Sequence, residues 1–148
     1  MLDLDSPRWK ELNAAVDVHY VPERIRQLAK DPTNELWIEI WENIAHQWTL
    51  YTAAYAALPH LLALGMAQGI VSQPTFLLNL GRVAAPRERV KPVPEDLKAE
   101  FDEALKTVAP FALRAAESRG CRPDPHATGF SGFPVCRVCA CTHAESIE

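Results

Sequence analysis

Cysteine is missing from most of this sequence. All four cysteines of the 148-residue chain lie within residues 121–148, so a disulfide framework is excluded for the rest of the fold. Long apolar runs are missing too. The longest, residues 51–66, is interrupted by Pro59 and His60 and is shorter than the roughly 20 residues with which a helix crosses a bilayer. We therefore expect no membrane-spanning segment.

Clustered positive charge is also absent. The chain has 15 basic and 19 acidic residues, a net charge of −4, and its Lys and Arg residues are scattered among acids. Nucleic acids and anionic membranes bind to concentrated positive charge, so neither is an expected partner. Asp3 and Asp5 stand where a secretory signal would carry basic residues, and we therefore expect a cytoplasmic protein.

The sequence lacks the short motifs of several common enzyme classes. We find no P-loop, no glycine pattern for dinucleotides, no serine nucleophile elbow and no zinc-protease motif. Because the acidic residues are scattered as well, the sequence favours a binding protein over an enzyme.

Helical periodicity is the main feature that the sequence does contain. Ser6-Pro7 and Asp31-Pro32 each place a capping side chain before a proline, as at a helix start, and the first of these predicts a helix through Val16. Proline at positions 22 and 74 predicts two further starts. The widest apolar stripe follows Pro32 and implies burial against more than one neighbour. It comprises Leu36, Trp37, Ile40, Trp41, Ile44, Ala45 and Trp48.

Two longer helices complete the predicted body. Residues 51–64 predict a helix that Pro59 kinks and that Gly65 or Gly69 ends, and residues 96–118 predict a helix bent or divided at Pro110. Residues 85–94 predict a stiff polar loop, and no segment alternates with the period of a strand. The predicted fold class is all-α: antiparallel helix pairs form a short solenoid or bundle in residues 1–119, followed by an irregular tail in residues 120–148.

This pattern resembles a bacterial family of HEAT-like α-helical proteins. The tryptophan-rich helix, residues 45–47 (AHQ) and residues 56–61 (AALPHL) carry the resemblance, and residues 6–9 (SPRW) and 29–32 (AKDP) fit it. It covers the first half to two thirds of the chain. The resemblance implies a stack of helix pairs that is used for protein contacts. Some members of the family look like immunity or regulatory partners in bacterial conflict systems.

Polar residues gather at the predicted corner between the tryptophan-rich helix and the next one. His46, Gln47 and Tyr51 form this cluster, with Trp48 between them and His60 further along the second helix. In one interpretation they satisfy backbone groups at a tight, buried turn. In the other they bind a ligand or a partner. General acid–base catalysis by His46 or His60 would need a nearby carboxylate, and the neighbouring residues 39 and 42, both Glu, are expected to face solvent.

The tail contains the densest group of metal-ligating residues. Cys136 and Cys139 form a C-x-x-C, whose two thiolates can share a tetrahedral zinc ion, and Cys121 with either Cys141 or His143 can complete four ligands. The resemblance supports structural zinc, because some members of the family carry a similar C-x-x-C insertion near this position. Two other interpretations remain open: a disordered or truncated tail with free thiols, and a tail with a redox or disulfide role.

The preferred hypothesis is a non-enzymatic protein-binding module with a protein partner. It follows from the helix pairs and from the missing catalytic motifs. A small zinc-binding regulatory protein that uses the tail is the first alternative, and a hydrolase or transferase that uses His46 or His60 is the second.

Overall fold

The computed structural model describes residues 1–71, 73–84, 86 and 88–118. Within these residues the chain forms a 3-10 helix, five α-helices and a small sheet, so the mostly helical prediction is confirmed. No helix among them is long and apolar enough to cross a membrane. The elements in chain order are the 3-10 helix Pro7–Glu11, α1 Tyr20–Lys30, α2 Asn34–Ile44, β1 Ala45–His46, β2 Thr49–Leu50, α3 Ala53–Ala67, α4 Pro74–Ala84, β3 Glu88–Arg89 and α5 Glu95–Ser118.

Helix α3 is the central element of the core. It is apolar on all sides, as expected for a helix enclosed by neighbours, and it packs against α1, α2 and α5. Tyr55 on α3 meets Phe101 on α5 edge to face, with 4.9 Å between the ring centroids. The Tyr55 hydroxyl donates a hydrogen bond of 2.9 Å to the carbonyl of Lys91. The helix continues through Pro59, as the apolar pattern predicts.

The two glycines near the end of α3 have different roles. Gly69 has a φ of 68°, in the left-handed region that follows many helix ends, so it is the correct stop of the two predicted. Gly65 lies buried inside the helix, where an added Cβ would be 2.6 Å from the Phe76 ring. Gly65 therefore lets α4 approach α3 closely.

The N-terminal helix is shorter than the sequence predicts. Ser6 caps it, because its hydroxyl accepts a hydrogen bond from the Arg8 amide at 3.2 Å. The prediction that the helix reaches Val16 is wrong, since it ends at Glu11. Beyond that point the Asn13 amide donates to the Thr52 hydroxyl at 2.6 Å, and the Asn13 carbonyl accepts from the residue that follows Thr52 at 2.9 Å. These bonds hold the segment against the start of α3 instead of in a helical turn.

Two further helix starts differ from the prediction. Helix α1 begins at Tyr20 rather than at Pro22, because a proline is tolerated anywhere in the first turn, where its missing N–H has no helical partner. Helix α2 is capped by Thr33, whose hydroxyl accepts from the Leu36 amide at 3.3 Å. Asp31 instead terminates α1.

The expectation of no strands is wrong. Strands β1 and β2 form an antiparallel hairpin, and β3 pairs with β2 in parallel. Each strand has only two residues, and a segment of this length is too short to show the alternation of apolar and polar residues that predicts a strand. The hairpin turn consists of Gln47 and Trp48, with φ values of 48° and 66°. A two-residue turn with both central residues at positive φ normally uses Asn or Gly, so the sequence carries no signal for this hairpin. Trp48 lies in this turn and not on α2, so its predicted place in the apolar stripe of that helix is wrong.

Candidate functional site

A groove of about 520 Å³ lies between α2 and α4. Its floor is aromatic: the Phe76 ring packs edge to face on Trp37 and Trp41, with centroid distances of 5.3 Å and 5.6 Å. Its walls carry two exposed apolar side chains, Ile38 on α2 and Leu78 on α4, with 53% and 52% of their surface accessible. Both walls of the groove therefore offer apolar surface to solvent.

The polar lining of the groove is mostly amides and hydroxyls. Three of these groups have hydrogen-bond partners: Gln68 accepts from the Trp37 indole at 3.2 Å, Asn79 donates to the Thr75 carbonyl at 3.0 Å, and the Thr33 hydroxyl caps α2. Asn34 and Gln73 are exposed, and their side chains make no hydrogen bond to the residues that the structure describes. The full polar set is Thr33, Asn34, Gln68, Gln73, Thr75 and Asn79.

One ion pair closes the groove at the C-terminal end of α2. Arg82 Nη1 donates to Glu42 Oε1 at 3.0 Å and to Asn79 Oδ1 at 3.2 Å. The guanidinium also lies 5.9 Å from the centre of the Trp48 ring. Its Nε is buried and has no acceptor among the described residues. Glu42 and Arg82 are the only charged residues in the described lining, so the groove is close to neutral.

Glu42 joins this ion pair to the predicted corner. Its Oε2 lies 3.0 Å from His46 Nδ1, while Oε1 binds Arg82. The expectation that Glu42 faces solvent is therefore wrong in part, since its side chain is half-buried between two partners. Glu39 is exposed as expected and pairs with Arg24 at 2.9 Å. The hydrogen-bonded row Arg82, Glu42, His46 was not visible in the sequence, because Arg82 comes from another helix.

The predicted corner residues lie on the hairpin and have separate partners. His46 contacts Glu42, Trp48 contacts Arg82, and Gln47 is exposed at the turn. The Tyr51 amide donates to the carbonyl of Ile44 at 3.0 Å, which satisfies a backbone group at the end of α2. His46 and Trp48 thus contact the ion pair through Glu42 and Arg82 without being among the described lining residues, whereas Tyr51 contributes to the turn itself.

His60 does not belong to this site. Its Nε2 lies 2.8 Å from the Leu2 carbonyl, and its ring centroid lies 6.5 Å from that of Trp9. Burial lowers the pKa of the His60 imidazole from its ordinary value of 6.5, although the bond to Leu2 acts in the opposite direction. Within the described residues, His60 holds the N-terminal segment against α3.

The predicted zinc ligands Cys121, Cys136, Cys139, Cys141 and His143 lie outside the described residues. The zinc site therefore stays a prediction. Among the residues that are described, no group of three or more His, Cys, Asp or Glu side chains could hold a metal ion.

The groove residues Ile38, Leu78 and Arg82 were absent from the sequence-based candidates. A signal for the first two exists, because each is a large apolar residue out of phase with the buried stripe of its own helix. No sequence pattern indicates Arg82 as a site residue, because its role depends on contacts with two other elements.

No protein-family model, curated protein or solved structure matches the chain.

Proposed function

We propose that this protein is a non-enzymatic protein-binding module that takes an apolar peptide segment of its partner into the groove between α2 and α4. The observation that carries the proposal is the pair Ile38 and Leu78, which face solvent from opposite walls of one groove. Exposed apolar surface that is concave and rimmed by polar groups is typical of an interaction site.

The lining chemistry favours a peptide over other ligands. Asn and Gln side chains both donate and accept, which matches the N–H and C=O groups of an extended backbone. Sugars and bases are commonly held on open aromatic faces, but Trp37, Trp41 and Phe76 are only 8%, 3% and 3% exposed. Nucleic acid also requires concentrated positive charge, and the one cation in the described lining is paired with an acid.

The dimensions of the groove set the length of the segment. Its lining spans residues 34–42 along α2, which corresponds to roughly 12 Å at 1.5 Å per helical residue. An extended peptide rises about 3.3 Å per residue, so about four residues fit. The proposed recognition element is a short segment rather than a folded domain.

The resemblance to HEAT-like proteins supports the biological side of the proposal. It favours stacked helix pairs, a bacterial setting and a partner of the immunity or regulatory kind. The proposed segment would belong to that partner.

A phage-displayed library of random 12-residue peptides tests the proposed function on the full chain. We expect enriched peptides with a shared apolar anchor, and synthetic versions that bind in titrations. Ile38→Asp and Leu78→Asp should each weaken binding by about tenfold or more, since anchors in a groove carry most of the binding energy.

Val90→Asp is the matched control. Val90 is another exposed apolar residue, with 42% of its surface accessible, and it does not line the groove. This variant should bind as the unmodified chain does. The proposal would be overturned if the library yields no enriched peptides. It would also be overturned if enriched peptides bind the Leu78→Asp variant with the same affinity as the unmodified chain.

One observation supports the hydrolase alternative. Glu42 and His46 form a carboxylate–imidazole pair, the arrangement that orients a general base. The alternative predicts that the full chain hydrolyses chromogenic esters or phosphates and that His46→Ala abolishes this. Activity that survives His46→Ala removes that residue from the reaction.

A further inference from the structure

We infer that Arg82 binds a carboxylate of the partner peptide, and thereby makes the groove selective for segments with an acidic group next to their apolar anchor. The inference rests on the proposed peptide-binding function. It concerns the end of the groove near the β1–β2 hairpin, where Arg82, Glu42 and Trp48 meet.

Arg82 has donors to spare. Its hydrogen bonds to Glu42 and Asn79 both leave from Nη1, and Nε has no acceptor among the described residues although it is buried. A buried donor without an acceptor destabilises a fold, so its retention points to a function for it. A carboxylate that arrives in the groove supplies acceptors for the guanidinium fork after a small rotation of the side chain.

The hairpin holds Arg82 in place. Gln47 and Trp48 both have positive φ, a conformation that is strained for residues with a Cβ. Backbone strain of this kind is concentrated at functional sites. Its visible consequence here is the Trp48 ring beside the guanidinium, at 5.9 Å from its centroid, where cation–π attraction restrains the Arg82 side chain.

The existing carboxylate does not exclude a second one. Glu42 divides its two oxygens between Arg82 and His46, so it does not use both for the guanidinium fork. The Arg82 side chain is 25% exposed, which leaves it accessible from the groove and partly shielded from water. Charge-assisted hydrogen bonds are stronger under these conditions.

The structure also predicts the spacing of the recognition element. Ile38 precedes Glu42 by four residues on α2, which corresponds to roughly 6 Å along the groove. About two residues of extended peptide cover this distance, and side chains two apart point to the same face. The acidic group should therefore stand two residues from the apolar anchor, or be the chain terminus at that position.

The test uses a peptide enriched on the full chain and three synthetic forms of it. One carries Glu or Asp as selected, one carries the corresponding amide side chain, and one has its C-terminal carboxylate converted to an amide. Loss of the recognised carboxylate should weaken binding by about tenfold. The form that loses affinity identifies whether the side chain or the terminus supplies it.

Variants of the protein test whether Arg82 sets the preference for the acidic peptide. Arg82→Gln should bind the acidic and the amide peptide equally, whereas Glu42→Gln should widen the preference for the acidic one, because it removes a competing carboxylate. Arg24→Gln is the control, since Arg24 pairs with Glu39 outside the groove and its loss should leave the preference unchanged.

The two proposals fail in different ways. Peptides that depend on Ile38 and Leu78 but bind equally well with and without the carboxylate would overturn the role of Arg82 and leave the groove intact. Binding that ignores Ile38 and Leu78 would overturn the groove itself. If Arg82→Gln does not fold, the comparison of the peptide forms on the unmodified chain still decides the matter.

Discussion

At the scale of single residues, the contact between Gly65 and Phe76 fixes how closely α3 and α4 approach. An added Cβ at Gly65 would lie 2.6 Å from the Phe76 ring, which is itself buried under Trp37 and Trp41. The floor of the groove therefore depends on a residue that does not line it.

We predict that Gly65→Ala lowers the free energy of unfolding by about 1–3 kcal/mol, because the enclosed ring has little room to move. The measurement is urea unfolding of the full chain. Gly81→Ala is the matched control: Gly81 is also helical, and an added Cβ there meets nothing within 4 Å. It should raise stability by about 0.5–1 kcal/mol through helix propensity. Equal changes in the free energy of unfolding for Gly65→Ala and Gly81→Ala would contradict the close approach of α3 and α4.

His60 gives the fold a pH dependence. Burial lowers the pKa of its imidazole below 6.5, so the unfolded chain takes up a proton at a higher pH than the folded chain does. The stabilising contribution of the neutral imidazole is complete above pH 6.5 and is lost as the pH falls through the folded pKa.

We therefore expect the full chain to be less stable at about pH 5 than at about pH 8, and His60→Gln to lose part of that difference. Glutamine can still donate to the Leu2 carbonyl but does not titrate in this range. Urea unfolding at the two pH values provides the comparison. Identical pH dependence in both proteins would show that His60 does not contribute.

Residue burial was predictable where it followed a periodic stripe. Trp37, Trp41 and Ile44 are buried as the pattern of α2 predicts. Partners from distant parts of the chain were not predictable. The side chains of Glu42 and Arg82 meet across forty positions, and only the packing of α4 on the hairpin brings them together.

At the scale of elements, the hairpin between α2 and α3 is the feature that could not be predicted from the sequence. Its strands have two residues each, and its turn consists of Gln47 and Trp48 instead of Asn or Gly. The helices were predictable because capping, proline placement and apolar spacing agree over eleven or more residues. The N-terminal helix ended early because a tertiary bond to Thr52 competed, whereas the starts of α1 and α2 shifted for local reasons of proline placement and capping.

We predict that Gln47→Gly raises the free energy of unfolding by about 0.5–1 kcal/mol, because glycine adopts a φ of 48° without a steric penalty. Gln47 is exposed, so no packing is lost. Gln47→Ala retains the Cβ and should bring no gain, which makes it the control in the same urea experiment. A gain from both changes, or from neither, would argue against strain at this turn.

At the scale of the whole molecule, the buried helix α3 connects the N-terminal segment with α1, α2 and α5. The groove lies on the side of this assembly where α2 and α4 meet, and both helices contribute one exposed apolar side chain to it. The class of fold was predictable from composition and periodicity. The position of the groove was not, because no sequence pattern relates α4 to α2.

The cysteine-containing tail, residues 120–148, is predicted to bind structural zinc. This hypothesis predicts about one equivalent of zinc in the full chain purified without chelator, held by four of the five Cys and His candidates. A double variant, Cys136→Ser with Cys139→Ser, should lose it. Less than about half an equivalent in the unmodified chain would reject a structural zinc site in the tail.

The groove is tested most directly by amide chemical shifts of the isotope-labelled full chain, recorded while an enriched peptide is added. We expect the largest changes in α2 Asn34–Ile44 and α4 Pro74–Ala84, with Ile38, Leu78 and Arg82 among them. Val90 and the first turns of α5 should change little. Changes centred on α1 or α5, with α2 and α4 unaffected, would contradict a binding site between α2 and α4.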